Sequence, residues 1–253
     1  MRIDLNSDIG ESYGQFTVGL DEEVIKHISS ANIACGFHAG DPITMQKTVR
    51  LAKQHDVAIG AHPGFNDLRG FGRREIKCST KEIYVDLIYQ IGALKAFVEK
   101  EGLSLQHVKP HGALYNMANK NEDIAKAVVD AVYDINPHLM IFGLGNSALL
   151  EEAEKRGLPI AREFFADRNY LDDGSLVPRT ENDALIHDVN IVTQRVVQLV
   201  EDGSMTTVTG KIIPIKADTV CVHGDGKTAL ELVKVLNIKL SESRIELKSI
   251  GKK

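Results

Sequence analysis

The alternation of apolar and polar residues at the start of this chain is the feature that most constrains its fold. Ile3 and Leu5 share one face of the predicted strand, whereas Asp4, Asn6 and Asp8 share the other. Taken alone, this pattern is typical of a surface strand with its polar face in water. The alternative is a barrel strand, whose apolar face packs against helices and whose inner face carries polar groups towards its carboxyl end.

The rest of the chain favours the second interpretation, because strand-like and helix-like segments alternate along it. Strands are predicted to begin near residues 2, 32, 57, 106, 139, 160 and 219. Helices are predicted over residues 21–30, 44–55, 80–101, 122–135, 147–156, 182–201 and 226–236. About seven such units without hairpin signals indicate an open doubly wound sheet or an α/β barrel. No G-x-G-x-x-G turn follows a strand, and polar residues end nearly every strand, so a barrel is the predicted fold class.

Composition indicates one domain over residues 1–253, with a charged surface strand or tail from about residue 241. A chain of this length with 43% hydrophobic residues can bury a large core. Its net charge of −5 argues against nucleic acid or a polybasic membrane face as partner. No apolar run is long enough for a membrane span, and the start does not resemble a signal peptide. Three well-separated cysteines fit a reducing compartment, so a cytoplasmic location is expected.

Ionisable side chains recur on one face when the alternation is extended to the other predicted strands. Five strands present such a group, and burying each charge costs on the order of several kcal/mol unless the groups serve one another or a ligand. The side chains expected to point into one mouth are Asp4, Asn6, Asp8, His62, Lys109, His111, Glu163, Asp167 and His223. The histidines expected to be ordinary surface or capping residues are His27, His55, His107, His138 and His187.

The loop after the third predicted strand combines glycines with Arg69, Arg73 and Arg74. Glycines let backbone N–H groups approach an anion, and arginines bind carboxylate or phosphate with two hydrogen bonds. Two interpretations stay open for this loop. It is either an anion clamp for a ligand or a structural or subunit contact.

Several stretches of the sequence resemble the LamB/YcsF family. They are Asp4–Glu11, Asn32–Pro42, Gly60–Phe65, Val108–Asn116, Glu163–Arg168, Leu176–Arg179 and Cys221–Asp225. The similarity runs in one register from residue 2 to about residue 240, with no departure at a motif position. The resemblance implies a fold similar to the irregular seven-stranded barrel of the glycoside hydrolase and polysaccharide deacetylase type.

The same resemblance implies a function, which is ATP-dependent opening of 5-oxoproline (pyroglutamate) to L-glutamate by one component of a larger 5-oxoprolinase. It implies two companion subunits that look like allophanate-hydrolase domains, and ATP with Mg²⁺ as its usual counter-ion. Phosphorylation of the lactam oxygen by ATP would turn a stable amide into a good electrophile. The sequence contains no G-x-x-x-x-G-K-[ST] loop, so any nucleotide bound by this chain would rely on the Arg69–Arg74 loop and on Lys109.

Catalytic and binding roles can be divided among the mouth residues only in part. His62, His111 or His223 could move protons near neutral pH, and Asp8 or Glu163 could orient a histidine or activate water. Lys109 could neutralise charge that develops during the reaction. The residues expected to bind substrate or phosphate are Asn6, His38, Arg69, Arg73, Arg74 and Asp167.

Two other functions remain open at this stage. An aspartate and several histidines at strand ends also suit a metal-dependent amide or N-acetyl hydrolase. However, no HxH pair ends the first strand and no HxxxH pair follows, so no tightly bound catalytic metal is expected. The chain could also be a binding subunit, with a mouth that holds a lactam while its partners perform the catalysis.

Overall fold

Parallel strands form a closed barrel in the computed structural model, which describes residues 1–178, 181–222 and 229–251. The described strands are β1 (Arg2–Ile9), β2 (Ser30–Ala34), β3 (Ala58–His62), β4 (Leu105–Val108), β5 (Met140–Leu144), β6 (Ile160–Phe165), β7 (Ser204–Thr206), β8 (Ile212–Pro214), β9 (Thr219–Cys221) and β10 (Glu246–Leu247). Within these residues, β1 to β6 pair in chain order, and β9 pairs with both β6 and β1. The predicted seven-stranded barrel is therefore confirmed.

Helices cover the outside of the barrel. The described α-helices are α1 (Asp21–Val24), α2 (Pro42–Gln54), α3 (Thr80–Lys100), α4 (Gly112–Ala118), α5 (Glu122–Ile135), α6 (Ala148–Arg156), α7 (Val189–Asp202) and α8 (Ala229–Glu242). Helix α3 begins with a capping box, in which the Ser79 hydroxyl accepts from the Glu82 N–H and the Glu82 carboxylate accepts from the Ser79 N–H. Its buried face, with Leu87 and Ile91, belongs to the apolar core.

Two predicted helices are shorter than the sequence indicated. Helix α1 ends at Val24, since a 3-10 turn over Ile25–His27 and then β2 follow. Asp21 does not cap this helix, because its carboxylate accepts from the Gly10 N–H at 2.8 Å. The helix expected from residue 182 begins only at Val189, where the Asp188 carboxylate accepts from the first N–H groups of α7.

The sequence showed no hairpin signal, but β7 and β8 form an antiparallel pair outside the barrel. Helix α4 was also missing from the sequence prediction. The segment after residue 241 was expected as a charged surface strand or tail. It continues α8 to Glu242 and then forms the short strand β10, which pairs with the start of β1. Within the described residues, no helix is both long enough and apolar enough to span a membrane.

His107 lies inside the barrel, which corrects its expected role as a surface or capping residue. The residue is 0% exposed, and its ring stacks on Phe142 at a centroid distance of 3.9 Å. Its Nε2 lies 2.7 Å from Asn32 Oδ1, so the ring donates a hydrogen bond there. The ring fits because Gly60, on the neighbouring strand, has no side chain; a Cβ on Gly60 would overlap it.

Replacing Gly60 by alanine is expected to lower the free energy of unfolding by about 1–3 kcal/mol. The added methyl group meets a ring held on two sides, so strain cannot be relieved by a simple side-chain rotation. Urea denaturation of the full chain measures the effect. The matched control is Gly92→Ala on α3, where a Cβ meets nothing within 4 Å and a gain of about 0.5–1 kcal/mol is expected. Equal stability of the two variants would contradict this packing argument.

Candidate active site

A cavity of about 790 Å³ opens at the carboxyl ends of the barrel strands. Four side chains line its floor: Asp8 near the end of β1, His62 at the end of β3, and Lys109 and His111 just after β4. Tyr115 on α4 forms part of the wall. The structure thus brings together four of the side chains that period-two alternation directed to one mouth.

The other expected residues take different places. Glu163 is buried below the cavity beside Lys109, and Asn6 lies deeper, with its amide donating to the Thr219 hydroxyl. Asp167 is half-buried just beyond β6 and does not line the cavity. His223, which was also expected at the mouth, lies outside the described residues.

Only part of the arginine loop reaches the cavity. Arg73 lines it, with its guanidinium 5.1 Å from the centre of the Phe71 ring. Arg74 pairs with the carboxylate of Asp67, which also accepts from the Gly70 N–H and so shapes the loop. Arg69 is exposed and does not line the cavity. Of the three arginines, Arg73 is the one placed to meet a ligand anion.

Lys109 places a positive charge at the cavity floor. Its Nζ lies 3.0 Å from Asp8 Oδ1, 2.8 Å from Glu163 Oε1 and 3.1 Å from Cys221 Sγ, and the residue is 2% exposed. Burial by itself would lower the pKa of Lys109, but the charges beside it, Asp8 first, raise that pKa well above its usual value. The ammonium group therefore keeps its proton at neutral pH.

Two neighbours of this lysine hold their protons firmly. Burial raises the pKa of the Cys221 thiol well above its usual value, although Lys109 opposes the shift. Burial, followed by the charge of Glu163, likewise raises the pKa of Tyr115. Both groups are therefore protonated near neutral pH, and Cys221 Sγ accepts a hydrogen bond from the Lys109 ammonium group.

A cluster of imidazoles and a carboxylate adjoins the lysine. Glu11, His38, His62 and His111 each bring one donor atom into a group whose members lie within 4.8 Å of one another. The His38 and His111 rings are stacked at 3.7 Å, and His38 Nε2 lies 3.3 Å from Glu11 Oε1. Burial first, and then neighbouring histidines, lower the pKa values of His38 and His111 well below the usual range.

Such a cluster of three imidazoles and a carboxylate could hold a metal ion. The expectation of no tightly bound metal rested on the missing HxH and HxxxH spacings. Here the donors come from separate segments: Glu11 follows β1, His38 follows β2, His62 ends β3 and His111 follows β4. A short sequence spacing cannot reveal a set assembled in this way.

Sequence reasoning missed three residues of the site. Glu11 lines the cavity, Tyr115 faces it from the unpredicted helix α4, and Cys221 contacts Lys109. Glu11 and Tyr115 both belong to stretches that carried the family resemblance, and Cys221 begins another. Those motifs were the available signal.

Fold and site together define a parallel (β/α) barrel with histidines, carboxylates and a buried lysine at its mouth. The chain belongs to the LamB/YcsF family, whose model matches residues 3–253. The resemblance predicted from the motifs is confirmed.

Similar proteins cover nearly the whole chain. A protein from Clostridium beijerinckii, named as the A-type subunit of 5-oxoprolinase, is 52% identical over 97% of this chain and 96% of its own. Another of that name from Pyrococcus horikoshii is 51% identical over 98% of this chain and 97% of its own. The crystal structure of a lactam utilization protein from Thermus thermophilus shares 44% identity and a TM-score of 0.95, over 99% of this chain and 100% of that one.

More distant structures share the fold alone. A peptidoglycan deacetylase from Bacillus subtilis is 11% identical, with a TM-score of 0.50 over 98% of this chain and 87% of that chain. This likeness agrees with the deacetylase-type barrel that the sequence led us to expect.

The depth of His107 leads to a prediction about pH and stability. Burial first, and then the charge of Lys109, lower its pKa to about 3, against about 6.5 in an unfolded chain. Between these values the unfolded state binds the extra proton, so stability is full above about pH 6.5 and falls as pH decreases. From pH 7 to pH 5 this residue should remove at most about 2 kcal/mol.

Urea denaturation at both pH values tests this in wild type and in His107→Gln, whose amide can still donate to Asn32. The variant should lose about 2 kcal/mol less than wild type between pH 7 and pH 5. His138→Gln, at an exposed position, is the control and should follow wild type. An identical pH dependence in all three proteins would contradict the prediction.

Proposed function

We propose that this chain is the A-type subunit of a multi-subunit 5-oxoprolinase, which opens 5-oxo-L-proline to L-glutamate while hydrolysing ATP. Relatives of that name at about 50% identity and a lactam utilization protein of the same fold support the proposal. The observation that carries it is the buried ammonium group of Lys109 at the floor of a cavity also lined by Asp8 and His62. It suits a hydrolase that acts on a cyclic amide.

The chemistry of a lactam explains why such a charge is useful. Ring opening adds one water across the C–N bond: the hydroxyl goes to the carbonyl carbon and a hydrogen to the departing nitrogen. A five-membered lactam is a poor electrophile, and transfer of the ATP γ-phosphoryl group to its oxygen, with release of ADP, would activate it. After the C–N bond breaks, a second water would release the phosphoryl group as inorganic phosphate and leave glutamate. A fixed ammonium group aimed at that oxygen stabilises the negative charge that develops there.

Proton transfer falls to the groups next to this lysine. Asp8 holds Lys109 through Oδ1, while its Oδ2 lies 3.3 Å from His62 Nε2. The carboxylate of Asp8 is suited to accept a proton from an attacking water. The group that accepts this proton can then return it to the leaving nitrogen as the C–N bond breaks.

The word "subunit" in the relatives' names points to a complex. The sequence lacks a P-loop, and Arg73 is the loop arginine that lines the cavity. We therefore assign most of the nucleotide binding, with Mg²⁺ as counter-ion of ATP, to two companion subunits that resemble allophanate-hydrolase domains. This chain would then supply the lactam pocket in the assembled enzyme.

A second candidate function is a metal-dependent amide or N-acetyl hydrolase. The cluster of Glu11, His38, His62 and His111 favours it, because three imidazoles and a carboxylate can hold an ion that activates water. The two candidates differ in their need for ATP. Ring opening that needs ATP and the companions supports the first, whereas amide hydrolysis by the chain without ATP supports the second.

Replacing Lys109 by glutamine is expected to lower kcat by roughly 10²–10³-fold in the reconstituted complex, because it removes the charge that stabilises the transition state. The assay is glutamate production from 5-oxoproline with and without ATP, and the thermal midpoint reports on folding. Lys126→Gln, exposed on α5, is the control and should keep normal turnover. The wild-type chain without companions should show little ATP-dependent turnover. Normal kcat in a folded Lys109→Gln enzyme would refute the assigned role.

Substitution of Arg73, an exposed arginine that lines the cavity, tests whether the loop clamps an anion. Arg73→Met should raise the KM for 5-oxoproline or for ATP by about 10-fold, equal to the loss of about 1.4 kcal/mol of binding, with little thermal shift. Arg69→Met, on the same loop but away from the cavity, is the matched control. If both variants keep the wild-type KM values, the loop has a structural or subunit role instead.

A further inference from the structure

The two hydrogen bonds made by His62 and His111 to backbone carbonyls fix which ring nitrogens carry protons. His62 Nδ1 lies 2.7 Å from the Lys109 carbonyl oxygen, and His111 Nε2 lies 2.8 Å from that of Phe71. A carbonyl only accepts, so both of these nitrogens donate. A neutral imidazole has a single N–H, and the other nitrogen of each ring therefore presents a lone pair.

Those two lone pairs point at each other. His62 Nε2 and His111 Nδ1 are only 2.9 Å apart. Further acceptors surround them, since Asp8 Oδ2 lies 3.3 Å from His62 Nε2 and Glu11 Oε1 lies 3.8 Å from His111 Nδ1. Such a convergence of acceptor atoms is the arrangement that binds a cation. An extra proton could take that place, but it would make a buried imidazolium at a high desolvation cost.

We propose that Glu11, His38, His62 and His111 bind a divalent first-row transition metal ion of the zinc type. Tetrahedral coordination with bonds of about 2.0–2.1 Å places neighbouring ligand atoms about 3.3 Å apart. The ligand-atom separations here, from 2.9 Å to less than 4.8 Å, bracket that value. Imidazole-rich sets select zinc-like ions, whereas Mg²⁺ prefers oxygen ligands and water.

The backbone around the cluster is shaped to hold these rings. A Cβ on Gly72 would lie 2.7 Å from both His111 Cδ2 and His38 Cβ, and a Cβ on Gly64 would lie 2.9 Å from His38 Nδ1. Glycine at both positions therefore leaves room for the stacked imidazoles. The carbonyl partners of His62 and His111 orient ligands in the way that second hydrogen bonds do in metal sites.

This ion is distinct from the Mg²⁺ that accompanies ATP in the proposed function, and its binding needs neither nucleotide nor companions. The test uses the full-length chain alone, stripped with a chelator and titrated with Zn²⁺ by calorimetry, with Mg²⁺ in a parallel titration. We expect one equivalent of Zn²⁺ per chain, a higher thermal midpoint with Zn²⁺, and no comparable response to Mg²⁺. Co²⁺ should give the visible absorption of a tetrahedral site.

Glu11→Gln and His111→Gln each remove one ligand and should weaken Zn²⁺ binding by more than the 10–100-fold typical of lost second-shell contacts. His138→Gln, at an exposed histidine, is the control and should bind like wild type. Thermal midpoints in chelator show whether each variant folds. Anomalous diffraction at the zinc edge locates the ion in wild type and does not depend on the variants.

The proposal would be overturned if the wild-type chain bound only a small fraction of an equivalent of Zn²⁺. Anomalous density located away from this cluster would also overturn it. Undiminished binding by a folded ligand variant would do the same. Zn²⁺ binding is measured on the chain alone, and ATP-dependent ring opening is measured separately in the reconstituted complex. Failure of one proposal can therefore be told apart from failure of the other.

Discussion

The ammonium group of Lys109 is the charge on which the arrangement of the pocket depends. Asp8 and Glu163 lie within 3.0 Å of it and come from β1 and β6, the two strands that flank β9. Two carboxylates at this depth would repel each other, and each would need a partner of opposite charge. Removing one member of such a buried set typically costs about 3–5 kcal/mol, because the remaining charges lose their compensation. The charge of Lys109 therefore links β1, which carries Asp8, to β6, which carries Glu163.

A column of hydrogen bonds continues from this charged layer into the barrel. The Asn32 amide donates to Asp8 Oδ1 and Asn6 Oδ1, and its own oxygen accepts from His107. Further down, Asn6 donates to the Thr219 hydroxyl, which donates to Asp4. Burial raises the pKa of Asp4, although three hydroxyl donors oppose the shift. Polar groups deep in the barrel thus satisfy one another, and they fix the orientation of Asp8 from below.

Sequence reasoning succeeded where one rule applied to every strand. Parallel strands share a carboxyl edge, so period-two alternation could place Asp8, His62 and Lys109 in one pocket. The same alternation places His107 on the inner face of the barrel, because His107 lies on β4 two residues before Lys109. Its interior position was missed because it also requires the space left by Gly60 on the neighbouring strand. The pairing of Gly60 with His107 depends on the register between β3 and β4, and a single sequence does not reveal that register.

Alternation ends where strands end, and most of the missed features lie beyond that point. Gly10 has a φ of +73°, so Glu11 leaves the line of β1 and turns towards the histidines. The 3-10 turn over Leu68–Gly70 and the left-handed Phe71, at φ +54°, direct the arginines of the loop to different places. These directions depend on tertiary contacts such as the Arg74–Asp67 pair. Residue type alone identified the loop as a candidate but could not say which arginine reaches the cavity.

Asp8 links the two chemical halves of the pocket. Its Oδ1 contacts the Lys109 ammonium group, and its Oδ2 lies beside His62 in the histidine cluster. A positive charge placed among the histidines would attract the same carboxylate that now compensates Lys109. The ammonium group would then be less fully neutralised by Asp8 and would act more strongly on a negative charge developing in the cavity. The occupancy of the histidine cluster and the electrostatic strength of Lys109 are therefore coupled through one side chain.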